Sequence, residues 1–191
     1  MVTESISSSI LSTSSTIDDV HFPNSKGIYG IYLKPGKSIR IRETIPVSSL
    51  LYVGISKNLF KRDFKQHFQI GATGSSSVRR SLGALLKDEL NLISIPRGGE
   101  KDKNRYTKYK FMSADEVKLS RWMEDNLIIG YWCAPNTWKV AELRSAEFDF
   151  TVQYKPILDR DPRTKRLNPY APEIDILTEI CKQEAMNFSV G

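Results

Sequence analysis

Apolar positions along the chain change their period several times, and each change marks an element. Residues 27–33, Gly-Ile-Tyr-Gly-Ile-Tyr-Leu, are rich in β-formers and stop at the turn signal Pro35-Gly36. Ile39, Ile41 and Thr44, then Leu50 to Val53, offer further extended chain, which predicts an antiparallel hairpin with an elaborated tip. From Lys57 the period becomes helical: Phe60, Phe64 and Phe68 recur every fourth residue, and the run ends by Gly71. A second helix follows, capped within Ser75 to Ser77, with Val78, Leu82, Leu85, Leu86 and Leu90 on its buried face.

Further along, Arg97 to Lys110 holds Gly98-Gly99 and six basic residues against Glu100 and Asp102, a basic loop leading into a strand over Tyr106 to Met112. Ser113 to Glu124 reads as a helix with Ser113 as cap and Glu116 completing a capping box. Leu127 to Trp132 reads as a buried strand, Thr137 to Tyr154 as a helix stopped by Pro156, and Pro172 to Met186 as a last short helix. Residues 1–25 combine Ser and Thr with few large apolar groups and no period, so they are expected to form a disordered or loosely attached arm. The order of elements predicts an α+β domain over 26–159, with the basic loop inserted at about 97–110, and a C-terminal basic segment and short helix over 160–191.

Composition narrows the classes. With 191 residues and 40% hydrophobic content the chain can bury one sizeable core. Its longest apolar stretch, Leu127 to Ala134, is too short to span a bilayer, and the N-terminus lacks the basic start and apolar run of a secretory signal. A soluble cytoplasmic protein with no membrane partner is expected. Cys133 and Cys181 are far apart and have no histidine nearby, so neither a disulfide framework nor a zinc site is indicated. The first 25 residues hold three of the 22 acids and no base, leaving 28 bases against 19 acids in the remainder. Such a body attracts polyanions, although many ordinary proteins share that balance.

One carboxylate breaks the apolar pattern. Val140, Leu143, Glu147, Phe150 and Tyr154 share one helical stripe by steps of three and four. Burying an unpaired charge is expensive, so a bound cation or an Arg partner is the natural explanation; the bland alternative is a glutamate tolerated at the stripe's edge. Glu142, on a more polar face, is the second candidate. Gly71 to Ser75 lacks the lysine of a phosphate loop and follows a helix, so it reads as a linker. Trp122, Trp132 and Trp138 sit in apolar periodic segments and read as core.

Gly27-Ile28-Tyr29 on a first strand, Tyr52-Val53-Gly54 on its partner, and Arg62 ten residues after Tyr52 together resemble the GIY-YIG nuclease superfamily, including stand-alone restriction-type members. The string from Tyr52 through Asn58 and Leu59 to Arg62 resembles that family's strand-to-helix segment. Glu147, nine residues before Pro156 of Lys155-Pro-Ile-Leu, resembles its metal-binding glutamate. The resemblance implies a small three-stranded antiparallel sheet flanked by helices, with additional helices, and a DNA endonuclease requiring Mg²⁺ or Mn²⁺. It implies Tyr29 and Tyr52 activating or positioning water, Tyr29 being favoured as base, Arg62 stabilising phosphate charge, and Glu147 binding the metal. His67 comes five residues after Arg62 where many members place a histidine or tyrosine four after it; the aligned position here is Gln66. His67 aligns with Phe60 and Phe64 and reads first as a packed histidine; with Lys61 it stands only as an auxiliary candidate.

Double-stranded DNA is the expected partner, and a homodimer would suit cutting of both strands. Lys57, Arg79, Arg80, Arg97, Lys101, Lys103, Arg105, Lys108, Arg163, Lys165 and Arg166 are the candidate phosphate contacts. Gln66 and Asp159, the latter where an asparagine often follows the Lys-Pro segment, motivate the alternative of a non-catalytic nucleic-acid-binding module.

Overall fold

A computed structural model describes residues 2–61 and 65–188. Two compact units divide the chain, Met1–Asp63 with Asn126–Ala171 and Phe64–Asp125 with Pro172–Gly191.

The first unit is built on the hairpin. Strand β1 (Gly27–Leu33) pairs antiparallel with β2 (Leu50–Ser56) on one side and β5 (Leu127–Cys133) on the other, giving the order β2-β1-β5. Every residue of β1 is buried, as a central strand covered on both faces requires. Alternation sends Ile28 and Tyr32, with Leu50 and Val53 of β2, toward helix α6 (Val140–Tyr154), whose Leu143, Ala146 and Phe150 complete the core. Tyr29 and Ile31, with their partners Gly54 and Tyr52, fall on the opposite face. After α6, Lys155 takes a left-handed conformation, and the chain turns so that Ile157 and Leu158 donate their amides to the Leu50 and Leu51 carbonyls.

The expected loose arm is instead a helix. Val2–Ser12 forms α1, and Ile6 and Ile10, four residues apart, are fully buried in the same core. Two cross-strand partners, Gly30 and Gly130, let it approach: a Cβ on Gly130 would collide with the Ile10 carbonyl oxygen, and one on Gly30 would lie 3.1 Å from Ile10 Cγ2. Serine and threonine hydroxyls turn inward onto the helix's own carbonyls, as Ser14 does on Ile10 O at 2.7 Å. Thr13 Oγ1 donates to Tyr131 O and accepts from Tyr131 N, and Ser15 bridges to Ile129. Burying two isoleucines contributes about 3–6 kcal/mol, which outweighs the poor helix propensity of serine.

In the second unit, α3 (Ser77–Leu85) is capped by Ser76, which accepts from the Arg79 amide at 3.1 Å. The single helix expected through Leu90 is broken at Leu86, and α4 (Lys87–Leu90) follows, closed by left-handed Asn91. The strand expected over 106–112 shortens to β4 (Lys110–Phe111), paired with β3 (Ser94–Ile95). Helices α5 (Ser113–Asn126) and α7 (Ala171–Asn187) match their expected spans closely. The capping box at Ser113 does not form, because that residue already lies inside α5; Glu116 turns inward to accept from the Phe111 amide and from Arg79.

The phenylalanine-striped helix from Lys57 is also corrected. Among the described residues only Lys65–Phe68 is helical there, labelled α2, and Phe60 is 71% exposed; Phe64 lies outside them. Competition for the backbone explains the loss: Asn58 Oδ1 accepts from Lys61 N, while the Leu59 and Phe60 amides donate to the Ser25 and Pro23 carbonyls. No helix of the described residues is long and apolar enough to cross a membrane.

Candidate active site

Strand register brings two phenols together. Tyr29 pairs with Gly54, and Tyr52 pairs with Ile31 two positions along, so both tyrosines rise from one face with ring centroids 6.0 Å apart. The Tyr29 ring is fully buried and extends over Gly54, where an added Cβ would meet its hydroxyl oxygen at 2.6 Å and Cζ at 2.8 Å. Gly54 is therefore the seat of the Tyr29 phenol. Tyr52 is half-buried. The other tyrosine of β1, Tyr32, lies in the opposite core, where burial and then Tyr154 push its hydroxyl up to about 12. Tyr32 is thereby held in its protonated form.

Glu147 projects from α6 beside the segment that follows the helix. Its side chain is 19% exposed, so the apolar stripe does bury most of the carboxylate. Burial raises its proton affinity above the usual carboxylate range; Arg163 opposes that rise, whereas Asp161 and Asp159 add to it. Arg163 stands 3.9 Å from Glu147 but 2.7 Å from Asp161, which takes two of its N–H groups and is held below its ordinary value by them. Glu147 thus shares an arginine committed elsewhere. Buried Asn168 fixes this segment, donating from Nδ2 to the Ile157 carbonyl at 2.9 Å and the Asp159 carbonyl at 2.8 Å. Glu142 is spent otherwise, its carboxylate accepting from the Lys139 amide at the start of α6.

The remaining candidates separate. Arg62 lies outside the described residues. Lys61 is exposed on the turn after β2, with Lys57 just before it. His67, in the second unit, is buried with Nδ1 2.9 Å from Ser76 Oγ, the packed histidine that its stripe predicts. Arg79 is removed from the phosphate contacts: it is wholly buried, bonded to Glu116 at 2.7 Å and to Thr73 and Ser120, and burial lowers its proton affinity. Arg80 donates to the Thr73 carbonyl, Arg97 is paired with Asp102 at 2.6 Å, and Arg105 lies over the Tyr106 ring at 4.9 Å. Lys101, Lys103 and Lys108 are exposed in the second unit, and Lys57, Arg163 and Arg166 in the first, where Lys165 is half-buried.

Sequence reading missed two contributors to the Glu147 surroundings. Arg163 was assigned to substrate alone, though its place two residues after Asp161 in a Pro-punctuated turn was a signal for a local ion pair. Asn168 carries no such signal, because its partners are backbone carbonyls brought near only by the fold.

Among the described residues, no three His, Cys, Asp or Glu groups form a ready cage for a metal. The donor set still fits a hard cation that keeps most of its waters: one half-buried carboxylate, raised in proton affinity by burial, with the charges of two aspartates acting on it. No curated protein and no solved structure matches the chain. Residues 27–171 match the family described as the GIY-YIG catalytic domain, a span that takes in the paired tyrosines, Glu147 and Asn168. By that match over most of its length the chain belongs to the GIY-YIG family of nucleases.

Proposed function

We propose that this nuclease is a DNA endonuclease that hydrolyses phosphodiester bonds with Mg²⁺ or Mn²⁺ held at Glu147. The observation that carries the reading is the state of Glu147: a carboxylate set into an apolar helix row, raised in proton affinity by burial, with Arg163 at 3.9 Å and the charge of Arg144 offsetting that rise only in part. A divalent cation there would stabilise charge on the phosphate and on the departing oxygen.

The chain's own groups do the rest. The Tyr29 phenol, seated over Gly54, orients the attacking water and takes its proton when a nearby positive charge favours the phenolate. Tyr52, 6.0 Å away ring to ring, shares the orienting role. Arg62 offers a planar, permanently charged fork to the phosphate oxygens. Asn168, through the Ile157 and Asp159 carbonyls, positions the segment whose charges tune Glu147.

Incubation of the purified chain with supercoiled plasmid and Mg²⁺ tests this reading. Metal-dependent nicking is expected, lost in Glu147→Ala and in Arg62→Ala. Nicking that survives both substitutions would overturn the site assignment, and binding without cleavage would leave a nucleic-acid-binding module.

A further inference from the structure

A groove of about 460 Å³ opens beside the end of β2, lined by Ile55, Ser56, Lys57, Asn58, Lys61, Val140 and Arg144. Three of its linings are cations and none is an acid. Lys57, Lys61 and Arg144 are all exposed, and among the described residues none of them stands in an ion pair. A solvated basic face is the ordinary reading of such a cluster. Here the cations come from two elements, a turn and α6, and converge on a concavity of ligand size.

The floor of the groove is tied by hydrogen bonds. Asn58 donates to Asn24 Oδ1 at 2.6 Å and accepts from Lys61 N at 2.9 Å, while Ser56, nearly wholly buried, accepts from Asn58 N. These bonds hold the turn carrying Lys57 and Lys61 in the shape that lines the groove, and a turn already so bonded has less to order on binding. Val140, at the start of α6, lines the groove, and the first turn of that helix is already capped by Glu142 on the Lys139 amide. Ile55 and Val140 add an apolar wall. Cations beside an apolar wall suit a sugar-phosphate strand, with its charged oxygens and C–H faces, better than a bare anion.

We propose that this groove binds a backbone phosphate of the DNA strand, with Arg144 as its anchor and Lys57 and Lys61 as flanking contacts. The proposal rests on the nuclease reading above and adds a phosphate site distinct from the one processed at Glu147. Arg144 and Glu147 are three residues apart on α6 and therefore lie on adjoining turns of one helix face, so a strand held at Arg144 continues toward Glu147. Arg144 was absent from the contacts read from the sequence because, as one arginine on an amphipathic helix, nothing local distinguishes it.

The test is fluorescence anisotropy of a mixed-sequence duplex with the full chain in EDTA, titrated with salt, alongside Mg²⁺-dependent cleavage of the same duplex. Arg144→Ala is expected to weaken binding about tenfold and to reduce the slope of log affinity against log salt by about one, and Lys57→Ala with Lys61→Ala by about two. Arg144→Lys is expected to restore most of that slope, since the charge returns. Lys37→Ala, which removes an exposed charge at the hairpin tip, is expected to stay within about twofold of the parent. Groove variants that bind with unaltered affinity and slope while the parent cleaves would overturn the groove and leave the nuclease reading standing. A parent chain that neither binds nor cleaves would overturn both. Displacement of the duplex by inorganic phosphate or a mononucleotide at matched ionic strength would make this a free-phosphate site and also overturn the proposal.

Discussion

The phenol of Tyr29 lies across Gly54, its register partner, so closely that a single added methyl would stand 2.6 Å from the hydroxyl oxygen. Gly54→Ala must therefore move the ring or the strand. We expect cleavage to fall about 100-fold, since small misplacements of a reacting group are costly, with a stability loss of about 1–3 kcal/mol from overpacking. Adding Tyr29→Phe to Gly54→Ala should cost little more, because both act on one group. Plasmid nicking rates and denaturant titrations of the two single variants and the double variant measure this; additive losses would separate Gly54 from the phenol.

Glu147 predicts a pH dependence whose sign is fixed by its surroundings. Its folded-state proton affinity is raised, so the folded chain binds more protons than the unfolded one just above the ordinary carboxylate range, and stability falls as pH rises through that window. Glu147→Gln should abolish that fall, and it should abolish metal-dependent cleavage as well. The acid limb of cleavage should sit above the ordinary carboxylate range and move higher still in Arg163→Ala, because Arg163 lowers the proton affinity of Glu147. A limb that moves to lower pH in Arg163→Ala would contradict the arrangement.

Helix α1 gives a stability prediction. Ile10 is fully buried against Gly30 and Gly130, so Ile10→Ala should cost about 2–5 kcal/mol in denaturant unfolding. Removing residues 2–14 should destabilise the hairpin unit further and expose its core to the dye ANS. A truncated chain with parental stability would show that the helix is dispensable.

Arg79 and Glu116 form a buried pair in the second unit, with Thr73 and Ser120 completing the donors and acceptors. Arg79→Ala leaves the Glu116 charge without its counterion and should cost about 3–5 kcal/mol. Replacing both by apolar residues of similar volume should recover most of that loss. Thermal unfolding of the single and double variants reads the coupling directly, and an unchanged salt slope for DNA binding in the folded double variant would agree with Arg79 lying out of reach of substrate.

The sheet was legible in the sequence because its evidence is local: a seven-residue segment rich in β-formers, a Pro-Gly stop, and a second strand ten residues before Arg62. Glu147 was legible because a charge in an apolar stripe is an anomaly that periodicity itself detects. What escaped lies in partnerships across the chain. Helix α1 hides behind serine composition, since its support comes from a distant glycine pair that composition does not register. Arg79 looks like a surface cation until Glu116, thirty-seven residues on, turns inward. The helix predicted from Lys57 does not form over residues 57–61 because Asn58 and its neighbours found other partners for the same amides.

A three-stranded sheet has two outer strands whose unused N–H and C=O groups invite another chain to dock. Here Thr13 and Ser15 occupy the outer side of β5, and Ile157 and Leu158 occupy the start of β2. The remaining stretch of β2 is short and runs into Lys57. Strand-by-strand accretion between copies, the route by which small sheets polymerise, is thus obstructed on both flanks.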